Sequence, residues 1–483
     1  MPVTPLPIAN GQYLSDSLPV SAQECVNWYP VIEGAPSLNQ ETLRGTPGIR
    51  EVYSTGDGVA EANRGFIRAL GGRGYFVNGN GLYRLNADET VDSLGTITGT
   101  GHVSMAASET QLMIVVPGGD GYIFERSPDT LTQITDVDYT TTHGVPMAVV
   151  FIDGYFLCTS NTEDFKISAI NDGLTWDPLD FGTAESNPDN ARAAIVFKNQ
   201  LFIAGAWTME AFTNVGGADF PFVRSGLFLD KGVSGKFAWA NVSGTFIFMG
   251  YGATDQVTIW RYENNSAVSI STKAIDAIIS RLTAAELGDV VAWAYGQNGG
   301  AFVGFVLPDT TIVYDLTSGR WHERKSRVLN DEGDWENISW RAINPIYMST
   351  KIFVGDAVSG RIGMLDTEVY TEYDNNIVRR VSTQPFHNNM QPFFISELEL
   401  TVESGVGNVD APEPVIMFDR SFDGGKTYEW SRTRKIGREG EYNRRVIWRR
   451  VGRAARFDVY RFTLSDPVKP VIIQLTANIM GVQ

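Results

Sequence analysis

Two stretches carry residue types from which a glycan-cleaving site could be built. INDGLTWDPLDF, from Ile170 to Phe181, approximates the S-x-D-x-G-x-T-W pattern known as the Asp box, and SFDGGKTYEW, from Ser421 to Trp430, approximates it again. Such chemistry needs a cluster of arginines for a substrate carboxylate, a tyrosine nucleophile with an acidic partner, and an aspartate as acid and base. The chain has many Arg, Tyr and Asp, yet no string singles out a set. In physical terms both stretches describe a strand that meets Asp-Gly or Gly-Gly, turns where a positive φ costs little, and leaves with an aromatic that packs on the returning strand. They therefore read as hairpins: Asp172 accepts local backbone hydrogen bonds, Gly173 turns and Trp176 fills a core, with Asp423 and Gly425 serving a second turn.

Other chemistries find less support. His102, His143, His322 and His387 stand alone, without a ligand partner at i+2 to i+4, so no metal site is expected. Cys25 and Cys158 lie far apart and make no metal-ligand spacing, which fits a reduced cytoplasm as the place of synthesis. GRGYFVNGNG and GTITGTGH have glycine spacing reminiscent of nucleotide loops, but no helix follows to hold a phosphate. No cofactor is implied. The specific feature is the basic run RTRKIGREGEYNRRVIWRRVGRAARFDVYR, from Arg432 to Arg461, in a chain of net charge −17. It reads either as a solvated edge strand whose charges discourage aggregation or as a socket for an acidic partner or a second acidic copy. Arginine suits the latter because its planar fork pairs with carboxylates bidentately. Arg444, Arg445, Arg449, Arg450 and Arg453 are the candidate residues, with strand alternation placing Arg449 and Arg450 on opposite faces. DNA phosphate is a weaker third reading, since the overall charge opposes nucleic-acid binding.

These residues must be positioned by strands. With 49 glycines, 11% aromatic residues and few long Ala/Leu/Glu/Lys runs, the chain favours short strands and tight turns. A unit of apolar strand, Gly/Asn/Asp turn and aromatic-rich strand recurs at Gly72, Thr110, Met147, Ala193, Phe237, Val290 and Ala342. The spacing of roughly 40 to 50 residues is that of one four-stranded propeller blade, which predicts about seven blades. Ile275, Ile278, Ile279 and Leu282 fall at helical spacing and predict a short helix between blades. The rhythm stops after Asp366, and a new run of strands predicts a C-terminal β-sandwich. The expected division is 1–57 as an extended, proline-bearing N-terminal arm that closes the ring or reaches a neighbour, 58–370 as the propeller, and 371–483 as the sandwich with the basic strands. The fold class is all-β. No run approaches the ~20 apolar residues of a membrane span.

Several strings taken together resemble one family, the tail hub or packaged DNA stabilisation proteins of short-tailed (podovirus-type) bacteriophages. They run nearly end to end: PLPIANG, CVNWYPV from Cys25, LRGTPGI from Leu43, HVSMA from His102, NDGLTWDPLDF from Asn171, FPF at Phe220, DKGVSG from Asp230, SISTKAID from Ser269, VYDLTSGRWHER from Val313, and RRVIWRRVGRAARFDVYRFTLSDPVKP from Arg444. The resemblance implies a non-enzymatic virion tail protein, made in the bacterial host cytoplasm. It implies a homo-hexameric ring below the portal adaptor that continues the DNA channel, retains the genome without sequence-specific binding, and anchors a tail needle or plug and tailspikes or fibres. The alternative is a glycan-binding or glycan-cleaving, sialidase-like propeller of a phage tail.

Overall fold

The computed structural model describes residues 3–34, 37–69, 71–184, 189–217, 220–330, 332–387, 391–454 and 457–481. Seven four-stranded antiparallel units follow one another along the chain among these residues, and each is one blade. Their innermost strands are Asn63–Arg68, Ser104–Ala107, Pro146–Ile152, Ala193–Phe197, Trp239–Val242, Val291–Gln297 and Ala342–Met348. The apolar runs that drew attention in the sequence are mostly the second strands. Gly74–Asn78 and Gln111–Val115 are buried along their whole length because neighbouring blades cover both faces. Outer strands such as Asp129–Gln133 are mostly exposed and correspondingly polar.

One apolar core lies between each pair of neighbouring blades. Phe165, Leu201 and Phe212 fill that between blades 3 and 4, and Phe66 and Phe76 meet Ile346, Met348 and Phe353 between blades 1 and 7. That last core closes the ring. Two arginines at the inner strands tie neighbouring blades together. Arg64 of blade 1 donates to the Gly101 carbonyl ahead of blade 2, and Arg192 of blade 4 donates to the Val233 and Ser234 carbonyls ahead of blade 5. Each satisfies backbone acceptors of the next loop that would otherwise lack a partner.

Blade 7 contains only three strands from its own stretch of chain. Its fourth is Gly48–Ser54, which pairs antiparallel with Arg361–Asp366 from Asp366↔Gly48 to Arg361↔Ser54. Ile49 on this strand is buried with Trp293, Trp340 and Leu365. An N-terminal segment thus fastens the far end of the ring. Other described strands of this segment join the second body: Trp28–Ile32 and Glu41–Gly45 extend one sandwich sheet, and Val3–Leu6 pairs with Val471–Gly481. Trp28, Leu43 and Cys25 sit in the sandwich core beside Phe418, Trp448 and Phe462.

The second sandwich sheet is continuous with blade 6. Cys25–Val26 bridges the outer strand Arg320–Leu329 to Arg379–Ser382, and Val459–Leu464, Val415–Ser421 and Glu429–Lys435 follow in order. Asn27 joins the same junction, donating to the Lys325 and Val378 carbonyls.

Between blades 5 and 6 the expected single helix is two. Lys273–Ile279 starts at Thr272, and Ala284–Gly288 starts at Thr283, where Thr283 and Glu286 make a reciprocal capping box. The second cap ends the first helix's register. A further short helix, Val137–Thr140, was not signalled by apolar spacing, because a single turn has too few residues to show a period. No helix among the described residues is long and apolar enough to cross a membrane.

Candidate functional site

The Asp-box stretch lies in blade 3, and its geometry differs from the sequence reading in one respect. The positive φ is at Asn171, not at the Asp-Gly pair, so the turn precedes Asp172. Gly173 leaves little room for a side chain: an added Cβ would stand 2.4 Å from Ile123 Cδ1, which would have to shift. Asp172 accepts from the Leu174 amide and the Thr175 hydroxyl, and Trp176 is buried with its indole N–H on the Gly173 carbonyl. In the second stretch, Gly424 and Gly425 both have positive φ and Asp423 accepts from the Lys426 and Thr427 amides and the Thr427 hydroxyl. Burial works against the Asp423 charge, but the donors from Thr427 outweigh it and hold the carboxyl well below its usual range. Trp430 is substantially exposed rather than part of a core. Both motifs spend their polar atoms on their own turns.

Three of the four histidines are likewise engaged within the fold. His143 stacks on Phe181 and faces Asp164 and the Pro178 carbonyl. His102 contacts the Arg64 carbonyl. His322 is fully buried between blades 6 and 7, accepting from Arg324 Nε at 3.3 Å, while Arg324 lies within cation–π distance of Trp293, Tyr295, Phe302 and Trp340. No group of His, Cys, Asp and Glu among the described residues could hold a metal ion. Cys25 and Cys158 are free and buried, with their thiol pKa values pushed up by desolvation.

His322 gives a pH-dependent stability of defined sign. Burial, then the neighbouring Arg324 charge, holds its pKa well below the ordinary value. The unfolded chain therefore binds a proton that the folded chain refuses, and stability present above about pH 6.5 is lost as pH falls toward the depressed folded value. Replacing it by glutamine, which keeps an acceptor for Arg324, should flatten this loss by up to about 1.4 kcal/mol per pH unit. Urea midpoints of H322Q and wild type at pH 7 and pH 5 measure it, and parallel declines would refute the assignment.

The basic run forms two adjacent sandwich edges. Val446–Ala454 is the edge strand of one sheet and, among the described residues, pairs only with Phe393–Val402; Glu429–Lys435 is the edge of the other. Val446, Trp448, Val451 and Ala454 face the core, while Arg445, Arg449, Arg450 and Arg453 face out. Alternation fails between Arg449 and Arg450. A bulge opposite Ser396, with Arg450 at φ 58, turns both side chains to solvent, so they do not lie on opposite faces as simple pleating implies. Arg445 makes a two-point pair with Glu399 at 2.8 and 2.6 Å, and Arg449 meets Glu397 at 3.1 Å. Arg444, Arg450 and Arg453 have no carboxylate within ion-pair distance among the described residues.

The sequence reading missed two parts of this surface. The pairing acids Glu397 and Glu399 lie in SELEL, where acids two apart mark the outward face of a strand. The second edge is joined to the first by Arg434 Nε on the Ile447 carbonyl and Trp448 Nε1 on the Arg432 carbonyl. These bonds cover backbone groups that an open edge would present to other strands. Beneath lies Arg420, fully buried with Asp458, which also donates to the Val451 and Arg453 carbonyls and so pins the strand that bears the arginines.

Comparison with known proteins agrees with this two-body layout. The family described as bacteriophage P22 Gp10, beta-propeller, matches residues 4–370, and that described as bacteriophage P22 Gp10, beta-sandwich, matches residues 379–480. Among curated proteins, the tail hub protein gp10 of Salmonella phage P22 is 24% identical over 435 residues, covering 86% of each chain. Among solved structures there is a weak likeness, TM-score 0.42 at 8% identity, to YCF48 from Cyanidioschyzon merolae, over 66% of this chain and 99% of that one. Propeller, sandwich and their order along the chain thus make this protein a member of the phage P22 Gp10 family, structural tail hub proteins rather than enzymes.

Proposed function

We propose that this chain is the hub of a short-tailed phage's tail: six copies form a ring below the portal adaptor, continue the DNA channel, retain the packaged genome, and anchor a needle or plug and tailspikes or fibres. The observation that carries the reading is the family match through both bodies, over residues 4–370 and 379–480. A net charge of −17 supports it further, because an acidic wall lets DNA pass without adhering. In this reading residues 1–57 fasten the unit, 58–370 form the ring-shaped body, and 371–483 carry the contact edge. A side-to-side ring is heterologous, so one face of each copy matches a different face of the next. Arg444, Arg450 and Arg453, together with Arg445 and Arg449, are the contact we assign to carboxylates of a neighbour. Native mass spectrometry of purified tails tests the assembly, and five or twelve copies would refute six.

The contact has its own test. Arg450 and Arg453 changed together to Glu should give a folded, soluble protein that no longer enters tails, since truncating one partner of a desolvated pair costs about 2 to 5 kcal/mol. Rim-exposed pairs are worth only about 0 to 1 kcal/mol. Particles that assemble normally with the double variant, including at raised salt where ion pairs are screened, would leave the run as a solvated edge.

A further inference from the structure

A cavity of about 460 Å³ opens at one end of the propeller axis, where the inner strands of blades 4, 5 and 6 begin. That volume lies within the ~300–1,000 Å³ of small-molecule sites. Its lining combines the apolar side chains of Met147, Val257 and Leu287 with Arg192, Ser234 and Lys236. In a chain with 56 acidic residues, no Asp or Glu among the described residues lines it.

Three donors there are uncommitted. Ser234 is 4% exposed, and its buried Oγ has no hydrogen-bond partner among the described residues. A buried hydroxyl without a partner costs free energy, and a ligand oxygen would recover it. Arg192 spends Nη1 on the Val233 and Ser234 carbonyls, which fixes the guanidinium at the wall, and its Nε and Nη2 make no bond within the described residues. Lys236 has no carboxylate within ion-pair distance among them. Cations and a hydroxyl sharing one cavity with apolar side chains match an amphipathic anion.

We infer that this axial cavity binds a small organic carboxylate, its oxygens on Arg192, Ser234 and Lys236 and its apolar body against Met147, Val257 and Leu287. The inference rests on the cavity and is independent of the tail hub reading. Calorimetric titration of the full chain with 4-phenylbutyrate, the neutral 4-phenylbutanol and inorganic phosphate separates the contributions. The carboxylate should bind one per chain, at least tenfold tighter than the alcohol and than phosphate. Lys236→Gln should abolish the advantage over the alcohol, and Ser234→Ala should weaken the carboxylate about fivefold, both with wild-type melting temperatures. Absence of binding, equal affinity for acid and alcohol, equal affinity for phosphate, or an unchanged ratio in K236Q would each overturn the proposal.

Discussion

A chain beginning at residue 58 is expected to be insoluble, although it keeps every strand that starts within the propeller and sandwich ranges. Its loss is concentrated at two places. Without Gly48–Ser54, blade 7 ends on Arg361–Asp366, whose pairing groups are uncovered and whose Ile362 and Leu365 lose the strand beside them. Such an edge is a template for other chains. The sandwich meanwhile loses Trp28, Leu43 and Cys25 from its centre. Truncating one buried Trp or Leu costs about 2 to 5 kcal/mol, so the combined loss exceeds the ~5–15 kcal/mol that holds a typical domain folded. A graded version isolates the fastening: Ile49→Ala removes a fully buried side chain from the blade 6–7 core and should cost about 2 to 5 kcal/mol. Solubility of the truncated chain, with and without a peptide of residues 1–57 added during refolding, is the measurement. A soluble truncated chain that melts cooperatively by itself would show that the segment is dispensable.

Loss of Arg420 should be the most damaging single substitution in the sandwich. Arg420 and Asp458 are both fully buried, joined by hydrogen bonds from Nε and Nη2 to one carboxylate oxygen, and Arg420 also lies over the rings of Phe422 and Trp430. Changing Arg420 to Met keeps bulk but removes the guanidinium that donates twice to the buried Asp458 carboxylate, at a cost of about 3 to 5 kcal/mol. The same change frees the Val451 and Arg453 carbonyls, so the strand bearing the exposed arginines loses its anchor from beneath. The prediction is a lowered sandwich transition in calorimetry and faster amide exchange along Val446–Ala454, with the blade cores unaffected. Combining it with Asp458→Asn should recover part of the loss, because the carboxylate that lost its guanidinium is then neutral. A single variant that unfolds within about 1 kcal/mol of wild type would mean that the buried pair is not what holds this strand.

Blade number and fold class were legible in the residues because strands buried on both faces must be continuously apolar and turns must be Gly-, Asn- or Asp-rich. That pattern is written locally, seven times, in stretches such as TQLMIVV and AAIVFKNQLFIAG. The basic run was legible for the same reason, since charge density needs no partner to be seen. The positions of its side chains were not. Whether Arg449 and Arg450 share a face depended on a bulge set by the register with Phe393–Val402, some fifty residues away. The pairing of Arg445 with Glu399, of Arg420 with Asp458, and of Gly48–Ser54 with Arg361–Asp366 likewise joins residues distant in sequence. Sequence by itself determined what each segment could become, because local backbone preference and apolar periodicity act over a few residues. Only the tertiary structure decided which segments meet, because those contacts exist only once ring and sandwich have closed around their cores.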